Sequence, residues 1–161
     1  TPKQLLRLKA ACSPVEDFTS GTFQPVIGET DDAVLAAARM QGVDRVLLCS
    51  GRVYYDLLAH RTKTGDTSTA IVRLEQLYPL ESSAIAEALA PFSGAELVWV
   101  QDEPANQGMW PYLALNLPTD LTGGVLPTLV SRPEAAAPAV GTAGVHRAQQ
   151  EEILRQAFAR H

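Results

Sequence analysis

The chain has 161 residues, of which 46% are hydrophobic and 19% are charged, and its net charge is −5. A chain of this length can bury one proper core but not two large ones, and its composition is ordinary for a globular protein. The negative net charge argues against nucleic acid or an anionic membrane as the main partner. No apolar run approaches the roughly 20 residues of a membrane span.

The two cysteines, Cys12 and Cys49, lie far apart, without a CxxC motif or a neighbouring histidine. This pattern favours reduced thiols over a disulfide or a metal site, and a cytoplasmic location is therefore expected. The chain does not open on the charged and then apolar pattern of a signal peptide. It begins with Thr1-Pro-Lys rather than with methionine, so we expect it to continue a longer polypeptide.

The first 43 residues are predicted to form an arm and a linker, because their apolar runs are short and are interrupted by proline. The predicted segments are a helix over 4–12, a loop over 13–21 anchored by Phe18, an edge strand over 23–27 and a linker with a short helix over 29–42. Pro14 would stop the first helix, and Pro25 confines the strand to an edge. The folded domain is expected to cover residues 44–161.

From residue 44 onwards, apolar strands alternate with amphipathic helices. The predicted strands cover 44–51, 69–74, 96–100 and 125–131, and the predicted helices cover 53–63, 81–90, 109–117 and 145–160. Residues 132–144, rich in alanine, proline and glycine, are predicted to form an ordered loop or a flexible arm. The alternation predicts an α/β fold with a mostly parallel sheet, helices on both faces and right-handed crossovers.

The stretch 96–110 combines a buried strand with a polar turn. Four consecutive apolar residues, 97–100, are typical of an inner strand covered on both faces. The candidate site residues that follow them are Gln101, Asp102, Glu103, Asn106, Gln107 and Trp110. Ligands and interfaces usually lie at the carboxyl ends of strands in open α/β sheets. The alternative is that Asp102, Glu103 and Asn106 only cap a helix and fix a turn.

Pro104 is expected to end this strand, and Asn106 or Gln107 is expected to open the following helix. That helix carries Trp110 and Tyr112. An aromatic helix of this kind usually belongs to a core and sometimes forms an oligomer face. We predict that the face containing Trp110 and Tyr112 is an interface.

No catalytic arrangement is recognisable from the sequence. His60, His146 and His161 are not placed with a serine or cysteine and a carboxylate in any known pattern, and no spacing indicates a metal site. The turn Ser50-Gly51 between a strand and a helix could bind phosphate. A single glycine is a weak signal for such a site, and a plain tight turn is the simpler interpretation.

Three cations in or just before the predicted helix over 53–63, Arg52, Arg61 and Lys63, could serve an anionic ligand. A solvated helix face is the simpler interpretation of these charges. Taken alone, the residues therefore favour a domain that binds or assembles over one that turns over a substrate.

Several segments in the right order carry a resemblance to a known family. They are Thr1-Pro-Lys with Leu5-Leu-Arg7, Val46-Leu-Leu-Cys-Ser-Gly51 with Tyr54-Tyr-Asp56, Ala70-Ile-Val-Arg-Leu-Glu-Gln-Leu77, Trp99-Val-Gln-Asp-Glu-Pro-Ala-Asn-Gln-Gly108 and parts of the tail from Arg132 to Gln150. Together they resemble the C-terminal domain of the thiamine-dependent 2-oxoglutarate dehydrogenase component. The likeness is strongest to the actinobacterial multifunctional 2-oxoglutarate decarboxylase/dehydrogenase type.

The resemblance implies a three-layer α/β/α sandwich, like the C-terminal domain of transketolase, within an obligate homodimer. It implies that thiamine diphosphate, Mg²⁺ and the catalytic histidines belong to two preceding domains absent here, so that no catalytic residue, metal or cofactor is expected in this chain. The implied reaction is the oxidative decarboxylation of 2-oxoglutarate in the citric acid cycle. The implied partners are the preceding domains, a second copy and the lipoyl-bearing succinyltransferase component.

The resemblance also implies part of an acetyl-CoA regulatory site, built from the arm around residues 21–26 and from the turn after the second strand of the domain. Gln76 and Leu77 match that turn. Thr22 and Pro25 depart from the basic and hydroxyl residues expected in the arm. Thr22, Gln76 and Leu77 are therefore the candidates for acetyl-CoA binding.

Two other functions stay open at this point. One is a stand-alone interaction or regulatory module with the same fold and no enzymatic role, and the other is a nucleotide-binding domain of flavodoxin-like form. In-frame coding sequence upstream of Thr1 would favour the enzyme domain, and a nearby start codon would favour the module. Nucleotides that fail to stabilise the chain would exclude the third function.

Overall fold

The computed structural model describes residues 3–159, apart from the side chain of Asp120, and is built on a five-stranded sheet of order β1-β3-β2-β4-β5. The strands are β1 Val26–Ile27, β2 Arg45–Cys49, β3 Thr69–Leu74, β4 Glu96–Pro104 and β5 Thr128–Arg132. β1 runs antiparallel to β3, and all other neighbours are parallel. The predicted mostly parallel sheet is confirmed, and the short strand that follows Pro25 lies at its edge, as predicted.

The described residues form six α-helices and four short 3-10 turns. The helices are α1 Val15–Thr19, α2 Asp32–Arg39, α3 Val53–Thr64, α4 Ser82–Leu89, α5 Trp110–Asn116 and α6 Ala143–Ala157. The 3-10 turns are Leu5–Arg7, Lys9–Ala11, Ala90–Phe92 and Thr119–Thr122. None of the helices in residues 3–159 is long and apolar enough to cross a membrane.

Helices cover both faces of the sheet and divide the core in two. α2, α4 and α5 pack on the face to which Val46 and Leu48 point, whereas α3 and α6 pack on the face of Leu47 and Cys49. All five residues of β2 are buried, because a central parallel strand is covered on both sides and its side chains alternate between them. The three-layer α/β/α arrangement is confirmed.

The N-terminal arm differs from its prediction. The expected helix over 4–12 is a pair of 3-10 turns, and the expected loop over 13–21 contains α1. Phe18 is not an anchor, since it is 80% exposed. No residue of these three short elements is buried. Without tertiary burial, local propensity does not sustain a long helix.

The segment that follows β1 joins the folded core. α2 is capped by Asp31, whose Oδ1 accepts from the backbone N–H groups of Ala33 (2.9 Å) and Val34 (3.4 Å). Val34 is fully buried in the same cluster as Val46. The predicted short helix is confirmed, and its apolar side contributes to the domain core. The division of the chain at residue 43 stays a prediction.

A buried ion pair ties this segment to the sheet. The guanidinium of Arg61 binds the Glu29 carboxylate, and the two side chains are 3% and 2% exposed. Glu29 Oε2 also accepts the N–H of Ile71 at 2.8 Å, so the carboxylate extends the edge of β3 beyond the point where β1 ends at Ile27. The interpretation of Arg61 as part of a solvated helix face is therefore wrong, because the arm covers that face.

β4 ends at Pro104, as predicted, but it is longer than the predicted strand over 96–100. After an irregularity that follows Val100, Pro104 pairs with Arg132, and the carbonyl oxygen of Arg132 accepts the N–H of Ala105 at 3.0 Å. The absent N–H of proline is not needed, because its neighbour donates. α5 begins at Trp110, with Pro111 in its first turn, so the prediction that Asn106 or Gln107 opens this helix is wrong.

The end of the chain follows the prediction with shifted bounds. β5 begins at Thr128 rather than at residue 125, and α6 begins at Ala143, where the Thr142 hydroxyl accepts the N–H of Val145 at 3.4 Å. Residues 1–2 and 160–161, which include His161 and the predicted end of the last helix, lie outside the described residues.

Candidate functional site at the carboxyl edge of the sheet

The carboxyl ends of the parallel strands meet at one edge of the sheet. The register aligns Cys49 of β2 with Arg73 of β3 and with Val100 of β4. The turns that follow these strands therefore lie along the same edge, as predicted from the order of the elements. The candidate residues of the polar turn after β4 take different positions within it.

Gln101 is a buried residue whose side chain holds the turn together through hydrogen bonds. Its side-chain Oε1 accepts from the indole N–H of Trp99 (2.9 Å) and from the backbone N–H of Trp110 (3.1 Å). Its Nε2 donates to the carbonyl oxygens of Pro104 (3.0 Å) and Gln107 (2.8 Å). Gln101 is only 3% exposed. An amide has both donors and acceptors, so a single side chain joins the strand, the turn and the start of α5.

Asn106 and Gln107 bind the tail. The side-chain amides of both residues donate to the carbonyl oxygen of Ala135, at 3.1 Å and 2.8 Å. Asn106 Oδ1 accepts the N–H of Ala135 at 3.1 Å in return. These bonds hold part of the alanine- and proline-rich segment against the turn. Glu103, by contrast, is exposed.

Asp102 is part of an ion-pair network between β4 and α3. Its Oδ1 lies 2.7 Å from Nη2 of Arg52, whose Nη1 lies 2.6 Å from Asp56. Burial acts to lower the pKa of Arg52, but the Asp102 and Asp56 carboxylates outweigh it and raise that pKa. Burial raises the pKa of Asp56, and the nearby negative charge of Asp102 adds to it, against the lowering effect of Arg52. The interpretation of Arg52 as a solvated cation is wrong.

The network extends to α6 and β5 through Gln150. Its Nε2 donates to Asp56 at 2.9 Å, and its Oε1 accepts from Arg52 at 3.3 Å and from Arg132 at 3.2 Å. Arg132 Nη1 lies 3.0 Å from Nδ1 of His146. These residues were not predicted as a group from the sequence. Arg52 meets Asp102, 50 residues away, because α3 packs beside β4, and it meets Gln150, 98 residues away, because α3 packs beside α6.

Trp110 and Tyr112 lie at the border between core and surface. Both are half-buried and pack against the cluster on the α5 side of the sheet. Tyr112 meets Tyr78 edge to face with 6.1 Å between ring centroids. Tyr78 and Leu115 are 78% and 85% exposed. We call Tyr78, Trp110, Tyr112 and Leu115 the aromatic face.

The arm and the turn after β3 are neighbours. The carbonyl oxygen of Pro25 accepts the N–H groups of Glu75 (2.9 Å) and Gln76 (3.0 Å). The Gln76 side chain donates to the carbonyl oxygen of Pro79 at 2.8 Å, and Leu77 packs on the core. Thr22 is exposed and belongs to the arm just before Pro25. The elements that carry the three acetyl-CoA candidates are therefore joined.

Ion pairing and burial limit the chemistry that the polar groups at this edge can carry out. Within residues 3–159, no group of three or more histidine, cysteine, aspartate or glutamate side chains could hold a metal ion. Cys49 ends β2 at the edge, but burial raises the pKa of its thiol far above the usual range. A thiol held neutral in this way is a poor nucleophile. The arrangement is suited to holding elements together and to presenting a surface.

The fold and the edge define a class of protein, a three-layer α/β domain with a polar turn at the carboxyl edge of its sheet. The family described as 2-oxoglutarate dehydrogenase C-terminal matches residues 12–158. The chain belongs to this family, as the resemblance predicted.

Curated relatives match nearly all of this chain. The "2-oxoglutarate dehydrogenase E1 component" of Cupriavidus necator is 43% identical over 99% of the chain, and that of Haemophilus influenzae is 39% identical over 98%. The "Multifunctional 2-oxoglutarate metabolism enzyme" of Mycobacterium sp. (strain JLS) is 43% identical over 99% of the chain. The chain spans only 16% of the first two relatives and 13% of the third. Both kinds of relative are similarly close, so identity alone does not favour the actinobacterial type.

Proposed function

We propose that this chain is the C-terminal domain of a thiamine diphosphate-dependent 2-oxoglutarate dehydrogenase or decarboxylase, in which it supplies structure and an interface rather than a catalytic side chain. The match of the family over residues 12–158 carries this proposal. The parent enzyme would decarboxylate 2-oxoglutarate in the cytoplasm as part of the citric acid cycle. Within its complex it would pass the acyl group to the lipoyl-bearing succinyltransferase component.

The exposed apolar side chains of the chain support a place inside a larger protein. Four apolar residues of the arm, Leu6, Val15, Phe18 and Phe23, are 69–80% exposed. Large exposed apolar groups that cluster on one segment mark contact surfaces. The preceding domains of the same polypeptide are the partners that we propose for the arm.

The cofactors of the proposed parent do not fit this domain. Two carboxylates beside the carboxyl edge, Asp56 and Asp102, are bound to Arg52 and are not free to hold Mg²⁺, and Glu75 lies 3.6 Å from Arg73. We propose that thiamine diphosphate and Mg²⁺ are held by the preceding domains. The purified chain should show no turnover of 2-oxoglutarate in the presence of both cofactors. Measurable carbon dioxide release by the chain would contradict the proposal.

The aromatic face is the surface that we propose for the homodimer. Leu115→Arg places a charge on an exposed position, whereas Trp110→Arg also disturbs packing on the core. Both variants of the parent enzyme should dissociate in sedimentation velocity, because a buried charge without a partner is unfavourable at an interface.

Trp110→Phe is the matched control and should retain the assembly, since it keeps an aromatic ring in place. Leu115→Arg separates the interface from folding, because a side chain that is 85% exposed contributes little to the core of the chain. A Leu115→Arg parent that sediments like the wild type would exclude Leu115 from the interface. If Trp110→Arg also leaves assembly and solubility unchanged, the whole aromatic face is excluded.

For Thr22, Gln76 and Leu77 we propose part of an acetyl-CoA site. The bonds from Pro25 to the backbone of Glu75 and Gln76 support it, because they join the arm to the turn. Acetyl-CoA should raise the unfolding temperature of the chain saturably, thiamine diphosphate should not, and Gln76→Ala should weaken the effect of acetyl-CoA. Absence of any shift with acetyl-CoA would exclude a half-site on this domain.

A further inference from the structure

Arg132 at the end of β5 is a buried cation without a carboxylate partner in the described part of the chain. It is 6% exposed. Its Nη1 contacts His146 Nδ1 (3.0 Å) and Gln149 Oε1 (3.3 Å), and its Nη2 contacts Gln150 Oε1 at 3.2 Å. Its Nε has no hydrogen-bond partner among the described residues. None of these contacts is a carboxylate, so no anion of the described residues balances the positive charge.

The other buried or partly buried arginines of the described residues each form an ion pair with a carboxylate. Arg45 lies 2.6 Å from Glu96, Arg52 binds Asp56 and Asp102, Arg61 binds Glu29, and Arg73 lies 3.6 Å from Glu75. The carboxylates near Arg132 form ion pairs with other arginines, since Asp56 binds Arg52 and Glu152 binds Arg155. A buried guanidinium without an anion is costly, and this cost favours an anion from outside.

A cavity of about 560 Å³ opens beside Arg132, between the free edge of β5 and α6. Its volume lies within the range of small-molecule sites. Leu129, Val145 and Ala148 supply an apolar wall, while Arg132, Gln149 and Glu152 supply the polar part of the lining. The cavity therefore offers a cationic anchor next to an aliphatic surface.

We propose that this cavity binds a small organic monoanion, with its carboxylate on the Arg132 guanidinium and a short aliphatic body against Leu129, Val145 and Ala148. A guanidinium fork matches the geometry of a carboxylate. Glu152 in the lining disfavours a doubly charged ligand such as phosphate. The site goes beyond the function proposed above and does not depend on it.

The test is thermal unfolding of the full chain in sodium acetate, butyrate and hexanoate, with sodium chloride and sodium phosphate at matched ionic strength. Butyrate should raise the unfolding temperature saturably, by about 3–6 °C at ten times its dissociation constant. The affinity should increase from acetate to hexanoate, by up to about fourfold for each methylene group that is buried.

Gln149→Glu is the decisive variant, because it places a carboxylate where an amide oxygen now lies 3.3 Å from Arg132. This variant should unfold at a higher temperature without ligand and should lose at least tenfold in affinity for butyrate. Arg147→Gln is the matched control, since it makes the same change in net charge at an exposed position of α6. It should bind butyrate like the wild type.

Three results would overturn the proposal. They are the absence of a shift with every carboxylate, a shift that is retained in full by Gln149→Glu, and stabilisation by phosphate as large as that by butyrate. None of these results bears on assembly of the parent enzyme, so the proposed function would stand.

Discussion

Gln101 shows how one side chain can define a turn at the residue scale. Its amide is saturated with partners from Trp99, Pro104, Gln107 and Trp110. A turn that depends on one buried amide is sensitive to crowding, because any displacement leaves several polar groups without partners.

Gly108 is the position at which crowding of Gln101 can be tested. Its φ is +67°, and a Cβ at this residue would lie 3.1 Å from the Gln101 amide atoms and from Glu103 Cβ. Gly108→Ala should therefore lower the free energy of unfolding by about 2–4 kcal/mol, from backbone strain together with steric overlap. Urea unfolding measures the loss.

Gly51→Ala is the matched control for this change. Gly51 has a φ of +69°, but nothing lies within 4 Å of its added Cβ. The free energy of unfolding of this variant should fall only by the contribution of backbone strain, about 1 kcal/mol. Equal losses in the two variants would show that Gln101 does not restrict Gly108.

The two cysteines should differ in reactivity. Cys12 is exposed, whereas Cys49 is fully buried and burial raises the pKa of its thiol. Because the thiolate is the reactive form, a disulfide reagent should label one thiol in the folded chain and two in denaturant. Cys12→Ser should abolish labelling of the folded chain. Rapid labelling of Cys49 in that variant would contradict the buried position of β2.

At the scale of elements, the Glu29 carboxylate joins the residues before α2 to α3 and β3. Glu29→Gln leaves the guanidinium of Arg61, which is 3% exposed, with Asp31 at 3.7 Å as its one remaining carboxylate among the described residues, beside the Thr69 carbonyl oxygen at 3.2 Å. The loss of a buried partner should cost about 3–5 kcal/mol in the free energy of unfolding, measured in urea. The double variant Glu29→Gln/Arg61→Met should lose less, since no unpaired charge remains.

Glu152→Gln provides a control on the surface. Glu152 pairs with Arg155, which is 68% exposed, so its loss should leave stability nearly unchanged. A loss as large as that of Glu29→Gln would show that the difference in burial between the two pairs does not govern their strength.

At the scale of the whole molecule, the apolar groups of the arm should govern the behaviour of the isolated chain. Phe18 and Phe23 are 80% and 69% exposed. The double variant Phe18→Ser/Phe23→Ser should reduce concentration-dependent self-association in light scattering and leave the unfolding temperature unchanged, because neither ring supports the core. A clear fall in unfolding temperature would show that the arm packs on the domain.

The alternation of strands and helices was predictable from the sequence, since the periods of two and 3.6 residues are local properties of the chain. The parallel sheet, its covered faces and the polar carboxyl edge follow from that alternation. The family resemblance was also visible in the sequence, because short motifs in a fixed order can be recognised without knowing which residues are in contact.

The tertiary structure alone decided which polar groups meet. Arg52 pairs with Asp102 across 50 residues, and Arg61 pairs with Glu29 across 32. Such pairs depend on the strand order and on the packing of α3, β4 and the arm, which no local pattern specifies. The extension of β4 to Pro104 and the unpaired charge of Arg132 have the same origin. A side chain's partner is set by the crossovers that bring distant segments together, whereas its element is set by its neighbours in sequence.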